Sequence, residues 1–191
     1  MRAWRSLLVV CLAGCAAATD TGLGGTSMSG VSSAAGAMGS PEASAQARPR
    51  PTDPLSFREW PTGLWWAQTD DRGHVVVLTS WGTSCRACVE ALPQLEAIAK
   101  QFASRGVHVY AINIEPDGTR FPALLRSLPS YPAILVDPGG ERLAVVLGMS
   151  SIPTTWVLTQ NGKVTWVQEG WDSNIAAELS SRLSGLLGGG T

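Results

Sequence analysis

Val75-Val76-Val77-Leu78-Thr79-Ser80-Trp81 runs directly into Gly82-Thr83-Ser84-Cys85-Arg86-Ala87-Cys88, and the reading of this stretch decides the fold. The run from Val75 is continuous in apolar and β-branched residues, as in a strand buried on both faces. The two cysteines are separated by two residues, so both fit on the first turn of a helix. There the free backbone N–H groups and the helix dipole favour a thiolate. Thiol–disulfide exchange requires that arrangement: one accessible thiolate to attack, and a second thiol near enough to resolve the mixed disulfide.

The pattern continues on either side of the stretch. Cys88, Leu92, Leu95, Ala99 and Phe102 recur at steps of four, three, four and three, one apolar helix face that ends near Arg105-Gly106. Pro93 lies inside this helix and is expected to kink it. Residues 107–114 (VHVYAINI) predict a second central strand. Upstream, Leu64-Trp65-Trp66 reads as a short leading strand and Asp70-Asp71-Arg72-Gly73 as a turn. Downstream, residues 119–127 predict a helix, 133–136 a strand and 142–147 a short helix. Strands over 155–158 and 164–168 are joined through Gln160-Asn161-Gly162, where Asn-Gly is a strong hairpin signal. A helix over 174–187 closes the chain. This alternation predicts an α/β sheet covered on both sides.

The chain has 191 residues, 45% of them hydrophobic, and a formal net charge of −1. That suits one globular domain with additions and gives no electrostatic case for binding nucleic acid. Of the four cysteines, Cys11 and Cys15 lie in an apolar N-terminal stretch, which leaves Cys85 and Cys88 alone in the body of the chain. They form one dithiol rather than a disulfide framework. Arg2 and Arg5 followed by the apolar residues 7–13 read as an export signal, far shorter than the roughly 20 residues a membrane span needs. Leu12-Ala13-Gly14-Cys15 resembles the lipobox of bacterial lipoproteins. That resemblance implies a signal peptide over residues 1–14 and lipidation of Cys15. The alternative is an ordinary signal peptide cut near Ala16 to Ala18. Residues 15–53 are rich in Ala, Ser, Gly and Thr, and no aromatic residue occurs between Trp4 and Phe57. They are expected to form a flexible, lipid-anchored linker to a domain over residues 54–191.

Three segments in order carry a wider resemblance: Trp81-Gly82-Thr83-Ser84-Cys85-Arg86-Ala87-Cys88 after a strand, the strand Ala111-Ile112-Asn113-Ile114-Glu115, and Gly148-Met149-Ser150-Ser151-Ile152-Pro153-Thr154-Thr155. Over residues 64–187 the chain resembles the TlpA-like branch of the thioredoxin superfamily. The resemblance implies a thioredoxin-like α/β fold, with a central mixed β-sheet flanked by helices and a helix–strand insertion within residues 116–148. It also implies a membrane-tethered, extracytoplasmic (periplasmic) thiol–disulfide oxidoreductase; the branch includes proteins serving cytochrome c maturation. Carried over, Cys85 is the attacking thiol and Cys88 the resolving one. Pro153 is a cis-proline against the disulfide, and Ile152 offers its backbone to a docking chain. Trp81, beside the dithiol, is grouped with them as substrate-binding. Partners are then protein thiols and disulfides and a protein electron donor, acting on a monomer, since no nucleotide, flavin or nicotinamide motif is present. No metal and no cofactor beyond the redox-active Cys85–Cys88 pair is expected.

The chain departs from this pattern in three places. Ser84 stands where many relatives have Trp, the Arg86-Ala87 pair lacks the frequent Pro, and Thr79 replaces the buried acid of thioredoxins. Arg86 is placed to favour a Cys85 thiolate, though solvent screens an exposed charge. Proton handling is left to Glu115, a candidate acid–base near Cys88, or, in the alternative, a solvated strand-end carboxylate. A purely structural disulfide stabilises little when it closes so short a loop. Zinc requires more ligands than His74 and His108 supply, and both read as ordinary strand or turn residues. Covalent haem requires His where Val89 stands. Trp65, Trp66, Trp156, Trp166 and Trp171 read as core or strand-face residues. The competing class is a non-enzymatic thiol module holding a partner or a metal ion, copper by the softness of thiolates. Known CxxC couples span roughly −270 to −120 mV, set by local residues, and a reductase is expected here.

Overall fold

The computed structural model describes residues 52–188, so the signal segment, Cys11, Cys15 and nearly all of the linker fall outside the described residues. Strands β1 (Ser56–Trp60), β2 (Trp65–Ala67), β3 (Val75–Trp81), β4 (Val107–Asn113), β5 (Ala133–Val136), β6 (Thr154–Leu158) and β7 (Val164–Glu169) form one sheet. Their order across it is β2-β1-β5-β4-β3-β6-β7. The helices are α1 (Arg86–Phe102), α2 (Phe121–Ser127), α3 (Glu141–Leu147) and α4 (Ser173–Gly188).

All seven residues of β3 are buried, which explains its unbroken apolar run. β3 lies parallel to β4 and antiparallel to β6, and β4 lies parallel to β5, so the sheet is mixed. One face carries α1 and α4: Ala91, Leu95, Ile98 and Phe102 pack with Leu179 and Leu183 against Val75, Val77, Val109 and Val157. The other face carries α3, whose Leu143 packs with Val76, Leu78 and Trp156. A third cluster, at the C-terminal end of β3, joins Trp81, Cys88 and Leu92 to Phe121, Leu125 and Ile134. The predicted apolar face of α1 is therefore its buried face, with Ala99 at its margin. The helix runs through Pro93 without interruption as a single 17-residue element.

Two features differ from expectation. The strand β1 was not predicted, because Ser-Phe-Arg-Glu-Trp shows no clean alternation and only Ser56 and Phe57 are buried. It is held by pairing instead, with β2 on one side and β5 on the other. The Arg58 guanidinium lies 4.2 Å over the Trp65 ring and donates to the Gly63 carbonyl. The helix expected over 119–127 begins at Phe121. Residues 116–148 supply α2, β5 and α3, with β5 placed between β4 and β1.

At the end of the sheet opposite the cysteines, the buried Asp71 accepts hydrogen bonds from Trp66 Nε1 (2.9 Å) and pairs with His108 Nδ1 (2.7 Å). Burial and that carboxylate push the nearby Tyr110 phenol well above the usual range. His74 stacks on His108 with ring centroids 4.3 Å apart. His108 is thus a partly buried member of a polar network at the strand starts, with His74 against it.

Leu95 has no exposed surface and belongs to the core cluster that α1 and α4 form on the sheet. Leu95→Ala should destabilise the domain by about 3 kcal/mol, the usual range for a buried Leu lost to a cavity. Urea unfolding should show a lower midpoint at unchanged slope.

Candidate active site

The chain turns sharply after β3. Gly82 through Ser84 lead from the buried Trp81 to Cys85, which caps the N-terminus of α1 with extended backbone angles (φ −94°, ψ 103°). Cys85 and Cys88 are joined as a disulfide, with Cα atoms 5.2 Å apart. The Cys88 backbone N–H donates to Cys85 Sγ at 3.2 Å. This bond places the sulfur where a capping oxygen ordinarily sits, satisfying a donor the helix itself cannot use. On reduction the same N–H and the helix dipole act on a Cys85 thiolate, lowering its proton affinity. Cys88 is buried, whereas Cys85 is partly exposed. The two thiols therefore differ in access as the sequence spacing implied.

A second loop closes over the pair. The Ile152–Pro153 peptide bond is cis, and the Ile152 carbonyl oxygen lies 3.7 Å from Cys85 Sγ. With both sulfurs bonded to each other this is a contact; a Cys85 thiol would turn it into an S–H···O hydrogen bond. The loops converge on Gly82. A Cβ there would lie 3.5 Å from Ile152 Cδ1 and 3.9 Å from Glu115 Cγ, so three loops meet around one backbone position.

The candidate residues are brought together unequally. Cys85 and Ile152 meet at one partly exposed surface, with Cys88, bonded to Cys85, and Pro153, next to Ile152, both buried. Trp81 does not belong to that surface. It is fully buried and packs edge-on to Phe121 at 6.0 Å, so it has no face to offer a docking chain. Its substrate-binding assignment is corrected to support from beneath. Glu115 is half-buried beside Gly82, and its carboxylate accepts hydrogen bonds from the Thr83 hydroxyl and from Asn113 Nδ2 (3.4 Å). It makes no hydrogen bond to either sulfur. The Arg86 guanidinium is exposed and bonds Glu90 Oε1 at 2.8 Å, and that hydrogen bond, then the charge of Glu90, holds its proton affinity above the ordinary value. Its charge is thus shared with Glu90 rather than directed at Cys85.

Beneath the dithiol, Thr79 Oγ1 and Thr155 Oγ1 lie 3.0 Å apart, and Ser80 Oγ accepts the Thr154 N–H at 2.9 Å. Neutral hydroxyls therefore fill the position where a buried acid was looked for. Phe121 and Leu125 of α2 complete the apolar floor. Sequence reasoning missed them because a seven-residue helix shows too little periodicity to identify its inner face. Among the described residues, no group of three or more His, Cys, Asp or Glu side chains is arranged to hold a metal ion. No helix among them is long and apolar enough to cross a membrane.

A mixed sheet with helices on both faces, a CxxC disulfide capping a helix and a cis-proline opposite it together define a thioredoxin-like protein. The family model described as Redoxin matches residues 67–181, and the chain belongs to that family. The chain is 32% identical over 97 residues to the thiol-disulfide oxidoreductase ResA of Geobacillus thermodenitrificans, covering 50% of this chain and 55% of the relative. With the ResA of Bacillus subtilis it shares 28% identity over 102 residues, covering 53% and 56% respectively. The chain thus spans about half the length of the curated relatives it matches. A crystal structure of a thiol:disulfide interchange protein DsbE from Chlorobium tepidum superposes with a TM-score of 0.64 at 23% identity, covering 69% of this chain and 92% of that one. That likeness shows the fold.

The unequal exposure of the two sulfurs has a direct readout. In the reduced protein, iodoacetamide should alkylate Cys85 at least about tenfold faster than Cys88, because only Cys85 combines access with the helix-end environment. Mass spectrometry of the two modified positions at short times checks this.

Proposed function

We propose that this protein is an extracytoplasmic, membrane-tethered thiol–disulfide oxidoreductase that reduces disulfides in partner proteins through Cys85 and Cys88. The observation that carries the reading is the Cys88 N–H held 3.2 Å from Cys85 Sγ, with Cys88 itself buried behind it. One sulfur is presented and electrostatically favoured as a thiolate, while the other is kept in reserve. The ResA relatives, thiol-disulfide oxidoreductases by name, support the same chemistry.

The reaction balances as two exchanges. The Cys85 thiolate attacks one sulfur of a substrate disulfide, forming a Cys85–substrate S–S bond and releasing the other substrate sulfur as a thiolate. Cys88 then loses its proton to water or to the released thiolate and attacks Cys85 Sγ. The mixed disulfide breaks, the Cys85–Cys88 bond forms, and the second substrate sulfur leaves. Two electrons pass to the substrate, and a protein donor restores them. The Ile152 backbone beside Cys85 positions the substrate chain during the mixed-disulfide stage. A lipid on Cys15, followed by the linker up to residue 53, holds the domain at the membrane as a monomer.

The deciding measurement is the redox equilibrium of the full chain in defined glutathione and dithiothreitol buffers, read by mass spectrometry of alkylated Cys85 and Cys88. A reversible couple near −270 mV is expected for a reductase. A value near −120 mV would make the protein a disulfide donor, and a pair that never closes would defeat the enzymatic reading. For the tether, a Cys15→Ala variant should move from the membrane fraction to the soluble extracytoplasmic fraction, and its retention in the membrane would refute lipidation there.

A further inference from the structure

The loop that faces Cys85 is held by a residue from outside it. Ser150 Oγ donates to Glu169 Oε1 at 2.9 Å, and Ser151 Oγ donates to Glu169 Oε2 at 3.1 Å. One carboxylate therefore binds two consecutive loop residues, one on each oxygen, through charge-assisted bonds at an exposed position where water competes. Glu169 ends β7 and is in register with Thr154 on β6, so the carboxylate is anchored to the sheet rather than to another loop. Two backbone carbonyls of the loop are held as well. Thr154 Oγ1 donates to the Ser151 carbonyl at 2.8 Å, and the Gly170 N–H donates to the Pro153 carbonyl at 2.8 Å. Between these fastened neighbours the Ile152 carbonyl is left facing Cys85 Sγ.

We infer that Glu169 is a positioning residue for substrate docking: through Ser150 and Ser151 it holds the Ile152 backbone in place for an extended peptide disulfide. The inference rests on the exchange activity proposed above. Glu169 touches neither sulfur, so its contribution lies in pre-organisation. A loop already fixed in its docking geometry loses less freedom when the substrate chain arrives. The substrate class this favours is an unfolded or flexible polypeptide disulfide, which needs backbone contacts to be positioned.

Insulin reduction by the full chain, with dithiothreitol as the donor, tests this. Glu169→Ala should raise KM for insulin about fivefold, in the range one hydrogen bond commands, while kcat changes less than twofold. Glu169→Gln keeps a carbonyl acceptor for one serine and should recover part of the loss. Ser150→Ala with Ser151→Ala should reproduce the Glu169→Ala effect, and combining all three changes should add nothing further. Additive effects, an unchanged KM, or a fall in kcat at constant KM would each overturn the positioning role. A wild-type protein that does not reduce insulin at all would overturn the proposed function instead. Urea unfolding of Glu169→Gln, expected to match wild type, separates docking from folding.

Discussion

The N–H of Cys88 points at the sulfur of Cys85, and the rest of the structure serves to keep it there. A free helix-end donor in water is easily satisfied; one aimed at a sulfur becomes useful only if the helix cannot shift along its axis. α1 is prevented from doing so by four large buried side chains, Leu92, Leu95, Ile98 and Phe102, the last three on a sheet face it shares with α4. The effect of the dipole and the cap falls off within the first turn, so a small displacement would remove most of the benefit. The core packing matters to the chemistry because it fixes this short vector.

The site is built asymmetrically around that vector. Below it lie an aromatic floor of Trp81 and Phe121, the bonded hydroxyl pair of Thr79 and Thr155, and the Ser80 hydroxyl on the Thr154 backbone. None of these groups ionises in the ordinary pH range. The ionisable side chains stand at the rim: Glu115 on Thr83, Arg86 on Glu90, and Glu169 on the two serines. Charge is thereby kept where water can solvate it, and the buried side of the disulfide stays neutral. Such a division leaves the thiolate governed by backbone groups, which cannot be titrated away.

How much of this was legible in the sequence depended on whether the signal was local. β3, β4 and α1 were readable because burial on two faces or on one helical stripe imposes a composition over many residues. The dithiol pattern placed Cys85 and Cys88 correctly, and the exposure difference followed from Cys88 falling on the counted apolar face. β1 was not readable, since its place is owed to partners, Trp65–Ala67 and the distant β5, rather than to its own pattern. The side on which Trp81 lies was equally hidden: a Trp before a CxxC reads the same whether it lines a surface or supports it. Glu169 lies 19 and 18 positions after Ser150 and Ser151, and nothing in either segment alone announces the bonds.

The inserted strand has a consequence for the order in which the molecule is made. β1 reaches the rest of the sheet only through β5, and β2 only through β1. The hairpin of residues 56–67 is therefore synthesised before anything else in the domain, yet it has no docking edge until residues 133–136 have emerged. Contacts so far apart in the chain form late and slowly. During that interval the earliest part of the domain to emerge carries Phe57, Trp65 and Trp66 uncovered. Whatever machinery handles the nascent chain meets an aromatic hairpin in search of its neighbour well before it meets a finished redox site.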